Sequence, residues 1–338
     1  MRTKSRKKRK NGTMTELREL LTEDIRRVGI AGHQKPDGDC AGSVLGLYTY
    51  LTENTEGIEI VPFLGEPLPE EISYLLENEP VRTDEGYDEV FDLMFVLDCA
   101  SPDRLAAGAG ALRKAKKTVV IDHHGTNPAF GDENYIDAKA SSTCEVLTRY
   151  MIPEKISLRA AVCLYSGMLF DTDVFRYDCT SPETLRTGAM LLEKGIPFAE
   201  IIRRSFMEQP YKVAKITAAL TEKAVLFPEE KFLYSIADLD LLHSQDVTST
   251  DIGTVVSELN NIRETETTLL MYQFEDGSWK GSLRSKTCVD VSKIAFDFGG
   301  GGHPRAAGFS FEKDPLSMME KVRKKVGEQM NGRHPDHP

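Results

Sequence analysis

Residues 120–127 read Val-Ile-Asp-His-His-Gly-Thr-Asn, an acid and two imidazoles set at the end of a β-branched run. Three other apolar runs end in the same residue types: 28–32 leads into His33, Asp37 and Asp39, 95–97 into Asp98, and 169–170 into Asp171. Carboxylate oxygens and imidazole nitrogens are donors for divalent cations. Open α/β sheets present such groups at the carboxyl ends of parallel strands. The four runs therefore predict a metal site assembled from loops at one end of a sheet. One Asp after one strand is explained equally well as a turn former, but four runs ending alike point to a shared site. Asp37 and Asp39 stand two apart across Gly38, so a single loop can send carboxylates toward two ions.

For these groups to converge, strands and helices must alternate. Strand-like runs near 27–32, 58–64, 90–97 and 117–121 are separated by helical segments at 40–53, 70–77 and 104–116, which predicts a parallel, doubly wound sheet. An amphipathic helix from Thr15, with Leu17, Leu20, Leu21 and Ile25 on one face, leads into it, and 142–151 and 155–169 read as further helices. Ser181 caps a helix through about Lys194 that Gly195 closes. A second, mixed α/β block begins near Ala224. It has a strand from Phe232, a helix at about 250–262, two strands around Glu275-Asp276-Gly277, a helix at 289–297 and a glycine run, and the sequence has no internal repeat. The domains expected are thus a disordered basic tail (1–13), a catalytic domain (14–195), a helical linker (196–223) and a substrate-binding domain (224–328).

The motifs resemble the DHH phosphoesterase superfamily. They stand here as HQKPDGDCAGSVLGL, VLDCASPDRL, IDHHGTN followed by ASSTCEV, and YSGMLFDTDVFRY, with KGSLRS (280–285) and FGGGGHPRAAGF (298–309) similar to the DHH-associated C-terminal domain. The resemblance runs through roughly residues 25–312, in family order, and is nearest to the oligoribonuclease and 3′-phosphoadenosine-5′-phosphate (pAp) phosphatase group. It implies a two-domain α/β fold with the active site in the cleft between the domains. It also implies two divalent cations, one held by His33, Asp37 and Asp98 and the other by Asp39, Asp98, His123 and Asp171, with Asp98 as the bridge. The all-carboxylate and imidazole donor set suits Mn2+ first, with Mg2+, Fe2+ or Co2+ compatible. Two ions about 3.5 to 4 Å apart hold the attacking and leaving oxygens of an in-line phosphoryl displacement.

Asp122 and His124 are left over from this ligand set as catalytic candidates. Asp122 either accepts a ring N–H and fixes a histidine tautomer or caps the following turn, and His124 faces the substrate phosphate or donates a proton. On the substrate side the resemblance implies Arg263, Ser282, Arg284, Gly300, Gly301, Gly302, His303 and Arg305. The glycine run would turn amides toward an anion, and Arg284 would grip a terminal phosphate with its fork. Ser141, Ser142, Thr143 and Glu145 match a family stretch and are explained by helix capping alone. Asp173 stands where many relatives have glycine, adding a negative charge near the site.

The 338 residues carry 40% hydrophobic and 28% charged side chains and a net charge of −11. That balance belongs to a soluble protein and argues against broad binding to long nucleic acid, including long DNA. No stretch approaches the roughly 18 apolar residues of a membrane span. The six cysteines form no close pair and read as thiols of a reducing cytoplasm, with a zinc-thiolate role the alternative for Cys40 and Cys99 beside their Asp neighbours. Seven Lys or Arg in the first ten residues form either a solvated tail or an arm for acidic partners. The expectation is a cytoplasmic hydrolase, monomer or homodimer, that cuts very short RNA to nucleoside 5′-monophosphates and removes the 3′-phosphate of pAp. Its rivals are a hydrolase of linear or cyclic dinucleotide signals and a catalytically silent nucleotide sensor.

Overall fold

The computed structural model describes residues 16–331 apart from 66, 77, 78, 85, 86, 88, 106, 250 and 313; the expected tail at 1–13 lies outside the described residues. The chain divides into two compact units, Met1–Glu208 and Gln209–Pro338, and the division falls within the stretch 196–223.

The first unit contains β1 (Arg27–Ala31), α1 (Gly38–Asn54), β2 (Glu59–Phe63), β3 (Leu93–Leu97), α2 (Ala109–Lys114), β4 (Lys117–Asp122), β5 (Glu133–Ile136), α3 (Thr143–Thr148), α4 (Leu158–Thr172), α5 (Pro182–Leu192) and α6 (Phe198–Ile202). All strand pairs are parallel, in the order β2-β1-β3-β4-β5. Every residue of β3 is buried, as a central strand covered on both faces must be. The strand order reverses between β1 and β3, so a crevice opens at their carboxyl ends. Asp98 follows β3 and His33 follows β1, at that crevice.

Three details differ from the sequence reading. The helix expected from Thr15 is one 3-10 turn, Leu17–Leu20, although Leu17, Leu20 and Ile25 are buried as its face required. Residues 70–77 and 104–116 also shorten, to a 3-10 helix Glu70–Leu75 and to α2 with a separate 3-10 turn Pro102–Arg104. The helix read at 155–169 is α4, Leu158–Thr172, so the apolar run before Asp171 is its last turn and not one of the strand ends with which the metal-site reading grouped it. A short apolar run looks the same in sequence whether it is a buried strand or the buried stripe of a helix. Here Ser157 accepts the Ala160 amide and starts a helix that continues past Asp171.

Helices α1 and α4 cross at backbone contact. Gly38, Gly42 and Gly46 recur every fourth residue and so share one stripe of α1. A Cβ on Gly42 would stand 2.5 Å from the Cys163 carbonyl oxygen. One on Gly167 would stand 2.3 Å from Cys144 Sγ and 3.0 Å from Asp39 Oδ1.

The second unit contains α7 (Tyr211–Lys223), β6 (Val225–Phe227), β7 (Phe232–Ala237), α8 (Leu239–Ser244), α9 (Val255–Asn260), β8 (Thr267–Gln273), β9 (Trp279–Ser285), α10 (Val291–Asp297), β10 (Gly301–His303), β11 (Ala306–Phe311) and α11 (Pro315–Asn331). Its sheet runs β10-β11-β9-β8-β7-β6, antiparallel except for the parallel pair β7-β8. One core joins Leu269, Leu283 and Phe309 of the sheet to Ile294 of α10 and Val322 of α11. A second joins Leu233 and Leu270 to Ile216 of α7 and Val256 of α9.

Gly42→Ala is expected to force α1 and α4 apart, because its new methyl meets a backbone oxygen that has no rotamer to yield. Overpacking of this kind costs about 1–3 kcal/mol, measurable as a lower urea midpoint of the full chain. An unchanged midpoint would refute the backbone contact.

Candidate metal centre

The local chain places each donor for a reason. Asp37 is the N-cap of α1, its Oδ1 accepting the Cys40 amide at 3.1 Å, while Oδ2 lies 3.6 Å from His33 Nε2. Asp39 is two residues further, in the first turn of α1, fully buried against α3 and α4. Asp98 takes left-handed backbone, φ 50°, directly after β3. Short polar side chains tolerate that region best after glycine, and the turn aims the carboxylate back over the strand ends. Its Oδ2 lies 3.5 Å from His33 Nε2, and its Oδ1 lies 3.6 Å from His123 Nε2 and 3.5 Å from His124 Nδ1. His123 Nε2 is 3.0 Å from Asp171 Oδ2.

Three groups of donor atoms lie within 4.8 Å of one another: His33 with Cys40 and Asp98, Asp98 with His123 and His124, and Asp39 with His123 and Asp171. Asp98 thus stands between a His33 side and a His123 side. The structure brings His33, Asp37, Asp39, Asp98, His123 and Asp171 together; Cys40, in the first group, lay outside the expected ligand set.

Asp122 caps the turn as one reading had it, and the ring it meets is that of His124 and not that of a histidine in the expected ligand set. Its Oδ1 accepts the amides of His123 (2.8 Å) and His124 (3.1 Å), capping the turn, and also meets His124 Nδ1 at 2.8 Å. Its Oδ2 accepts from Asn127 Nδ2 at 2.6 Å. The histidine that Asp122 orients is therefore His124.

Burial favours the neutral form of His33 and His123, yet neighbouring carboxylates overcome it. Asp37 and Asp98 push His33 up to about 10, and Asp171, Asp39 and Asp98 push His123 up to about 10. Burial and the nearby Asp98 and Asp171 charges hold Asp39 well above the usual carboxylate range, and burial against the pull of His123 leaves Asp171 at about 6. Among the described residues, the ion pairs of Asp37, Asp98 and Asp171 are all with histidine rings. Clustered carboxylates of like charge, ion-paired with titratable imidazoles and ranging from the buried Asp98 to the exposed Asp37, fit a cationic metal centre, and the donors are the oxygen and nitrogen types such ions take. Burial also pushes the Cys40 thiol well up, which keeps it neutral and favours the reading of Cys40 as core beneath the site.

Thr172, next to Asp171, ends α4 and is followed by three residues in left-handed backbone, Asp173, Val174 and Phe175, at φ 48°, 58° and 62°. Such backbone costs roughly 1–2 kcal/mol per residue, and it is held here by the Phe175 amide donating to the buried Thr172 hydroxyl at 3.0 Å. At Asp173 glycine would be unstrained; the Asp173 carboxylate pairs with Arg176 at 2.7 Å.

In the second unit the sheet register sorts the predicted substrate residues. Ser282, Gly308 and Gly301 form one cross-strand row, and Arg284, Ala306 and His303 the next on the same face. Gly302 belongs to the intervening row with Leu283 and Ala307, which faces the core. The amides of Gly299 and Gly300, expected to face an anion, instead donate to Phe296 and Ala295 carbonyls and close α10. A Cβ on Gly300 would meet the Gly308 carbonyl at 2.1 Å, so packing demands glycine there. Arg305 is turned to Val289 and Thr287 carbonyls, clamping a loop whose amides from Thr287 to Val289 are taken by Glu266. Arg263 is exposed in the loop after α9. Arg284 Nε reaches the Ser257 hydroxyl at 3.3 Å.

Residues 27–168 match the DHH family, N-terminal domain, and residues 229–332 match the DHHA1 domain. The chain is 30% identical over 282 residues to the probable bifunctional oligoribonuclease and PAP phosphatase NrnA of Streptococcus mutans, over 82% of this chain and 86% of that protein. It is 30% identical over 308 residues to the bifunctional oligoribonuclease and PAP phosphatase NrnA of Thermus thermophilus, over 89% of each. An exopolyphosphatase-related protein from Bacteroides fragilis shares the fold with a TM-score of 0.83 at 21% identity, over 90% of this chain and 93% of that one.

The raised histidines give a pH dependence with a definite sign. In the metal-free protein His33 and His123 bind protons more tightly folded than unfolded, so their stabilisation is complete below about pH 6.5 and is lost as pH rises through about 10. The thermal midpoint of metal-free protein is therefore expected to fall from about pH 7 to about pH 9. Ligation needs the unprotonated ring, so Mn2+ binding at about pH 7.5 should release protons, read by calorimetry in buffers of different ionisation enthalpy. Binding without proton release would remove both histidines from the ligand set.

Proposed function

The chain belongs to the DHH family, and from that membership we propose that it is a metal-dependent phosphoesterase that hydrolyses short oligoribonucleotides to nucleoside 5′-monophosphates and pAp to AMP. The observation that carries the reading is the buried Asp98, whose Oδ2 faces His33 and whose Oδ1 faces His123. His33, Asp37 and Asp98 would hold one divalent cation, and Asp39, Asp98, His123 and Asp171 the other, Mn2+ first among the ions such donors suit. When bound, such ions would neutralise phosphate charge and supply a water acidic enough to serve as nucleophile near neutral pH.

The residues of the chain supply the rest. Asp122 holds the proton on His124 Nδ1 and raises the proton affinity of that ring, with burial opposing. His124 then delivers a proton from Nε2 to the leaving ribose oxygen as the P–O bond breaks. Arg284, on the same sheet face as Ser282, Gly301 and His303, grips the second phosphate of the substrate, and Arg263 adds a further cation. Gly300, Gly302 and Arg305 serve by shaping the hairpin and the loop beside it. This work suits the cytoplasm, a reading supported by six cysteines that are all free thiols. Among the described residues no helix is long and apolar enough to cross a membrane.

A panel of end-labelled RNAs from dinucleotides to about 24-mers, with pAp and cyclic dinucleotides, incubated with Mn2+, tests the reading. Turnover should be fastest on the shortest RNAs and present on pAp; a preference for long chains or for cyclic dinucleotides alone would overturn it. Asp98→Ala should cost about 10³-fold or more in rate on every substrate, because both ions lose a ligand. Arg284→Ala should cost about 2–5 kcal/mol of transition-state stabilisation on substrates with a second phosphate, while bis(p-nitrophenyl) phosphate is cleaved nearly as before. Equal losses on both kinds of substrate would exclude the phosphate-gripping role.

A further inference from the structure

Thr143 is fully buried, so it cannot touch substrate, yet it bonds to two carboxylates of the centre. Its amide donates to Asp39 Oδ2 at 2.6 Å and its hydroxyl to Asp98 Oδ1 at 3.1 Å. The next amide, Cys144, takes the other oxygen of Asp39 at 2.9 Å. Asp39 is thus gripped on both oxygens by backbone, which fixes its plane. Asp98 is different: it sits on a left-handed turn, and the neighbouring imidazole nitrogens at 3.5–3.6 Å are beyond hydrogen-bond length. The Thr143 hydroxyl is the hydrogen bond that sets its rotation.

Thr143 is itself anchored from behind. Ser142 Oγ accepts the Glu145 amide at 3.0 Å. Glu145, with no exposure, accepts from the Ser141 amide, the Ser141 hydroxyl and the Thr184 hydroxyl of α5. A buried carboxylate with this many donors is a structural tie, and it immobilises the turn that carries Thr143.

We propose that Thr143 is a positioning residue: it couples the bridging carboxylate Asp98 to Asp39 and thereby sets the separation of the two ions. This rests on the metal-centre reading above. A carboxylate can only accept, so the hydroxyl proton of Thr143 points at Asp98. Removing it frees that carboxylate to turn, without touching any ligand.

The test compares metal-free wild-type protein with Thr143→Ser and Thr143→Ala, which differ from each other by the hydroxyl alone and add no volume. Mn2+ affinity is read by calorimetry, and the magnetic coupling of the bound pair by electron paramagnetic resonance; urea midpoints verify the fold. Loss of an outer partner of a ligand weakens metal binding by about 10- to 100-fold. That loss and an altered coupling are expected for Thr143→Ala, with wild-type values for Thr143→Ser. If Thr143→Ala fails to fold, Thr143→Val takes its place. Wild-type affinity and coupling in the hydroxyl-free variant would overturn the proposal, as would equal weakening in Thr143→Ser, which would assign the effect to the methyl group. Wild-type protein that binds no Mn2+ would instead overturn the metal centre itself.

Discussion

The contact on which the first unit depends is the crossing of α1 and α4, where glycine lets backbone meet backbone. Gly42 faces the Cys163 carbonyl and Gly167 faces Cys144 and Asp39, with no space for a methyl at either place. Asp37 and Asp39 ride on the start of α1 and Asp171 on the end of α4. The distance between these carboxylates is therefore inherited from how closely two helices pack. Interiors are close-packed and yield little, so the polar centre gets its precision from apolar neighbours.

Carboxylates in the two units are satisfied in contrasting ways, and the contrast separates ties from ligands. Glu266 accepts from the Thr287, Cys288 and Val289 amides and the Thr287 hydroxyl, which fills its acceptor sites and explains why its carboxyl is held low against burial. Glu145 is saturated in the same way. Asp98 receives the Thr143 hydroxyl and otherwise faces imidazoles across gaps too wide for hydrogen bonds. A buried carboxylate short of donors is costly unless a cation completes it.

Much of this was legible in the sequence because it is written in local periodicity. The β-branched run before Asp122 and the wholly apolar β3 announce parallel strands, and the acids and imidazoles after them mark the end that does chemistry. Asp171 was placed with the others, and the helix read at 155–169 is α4, which runs on past Asp171 to Thr172. The strand β5 and the long α11 carry too weak a pattern to stand out. The bonds of Thr143 to Asp39 and Asp98 were invisible for a different reason: a helix cap is a local signal, while a hydroxyl pointing at a residue far along the chain is not. The glycine run was read by composition, which registers conformational freedom but not that Gly299 and Gly300 spend their amides on α10.

The bond from the Thr143 amide to Asp39 joins residues 104 apart in the chain. A centre built on such distant partners has no partial form: the loops after β1, β3 and β4 reach one another only when the sheet is complete. An ion that needs all of them recognises the finished fold and has little to hold in a half-folded chain. Each tenfold rise in its free concentration above the dissociation constant then adds about 1.4 kcal/mol to the stability of the native state. The metal supply of its surroundings would thus govern how long each copy of the protein survives, as well as how fast it works.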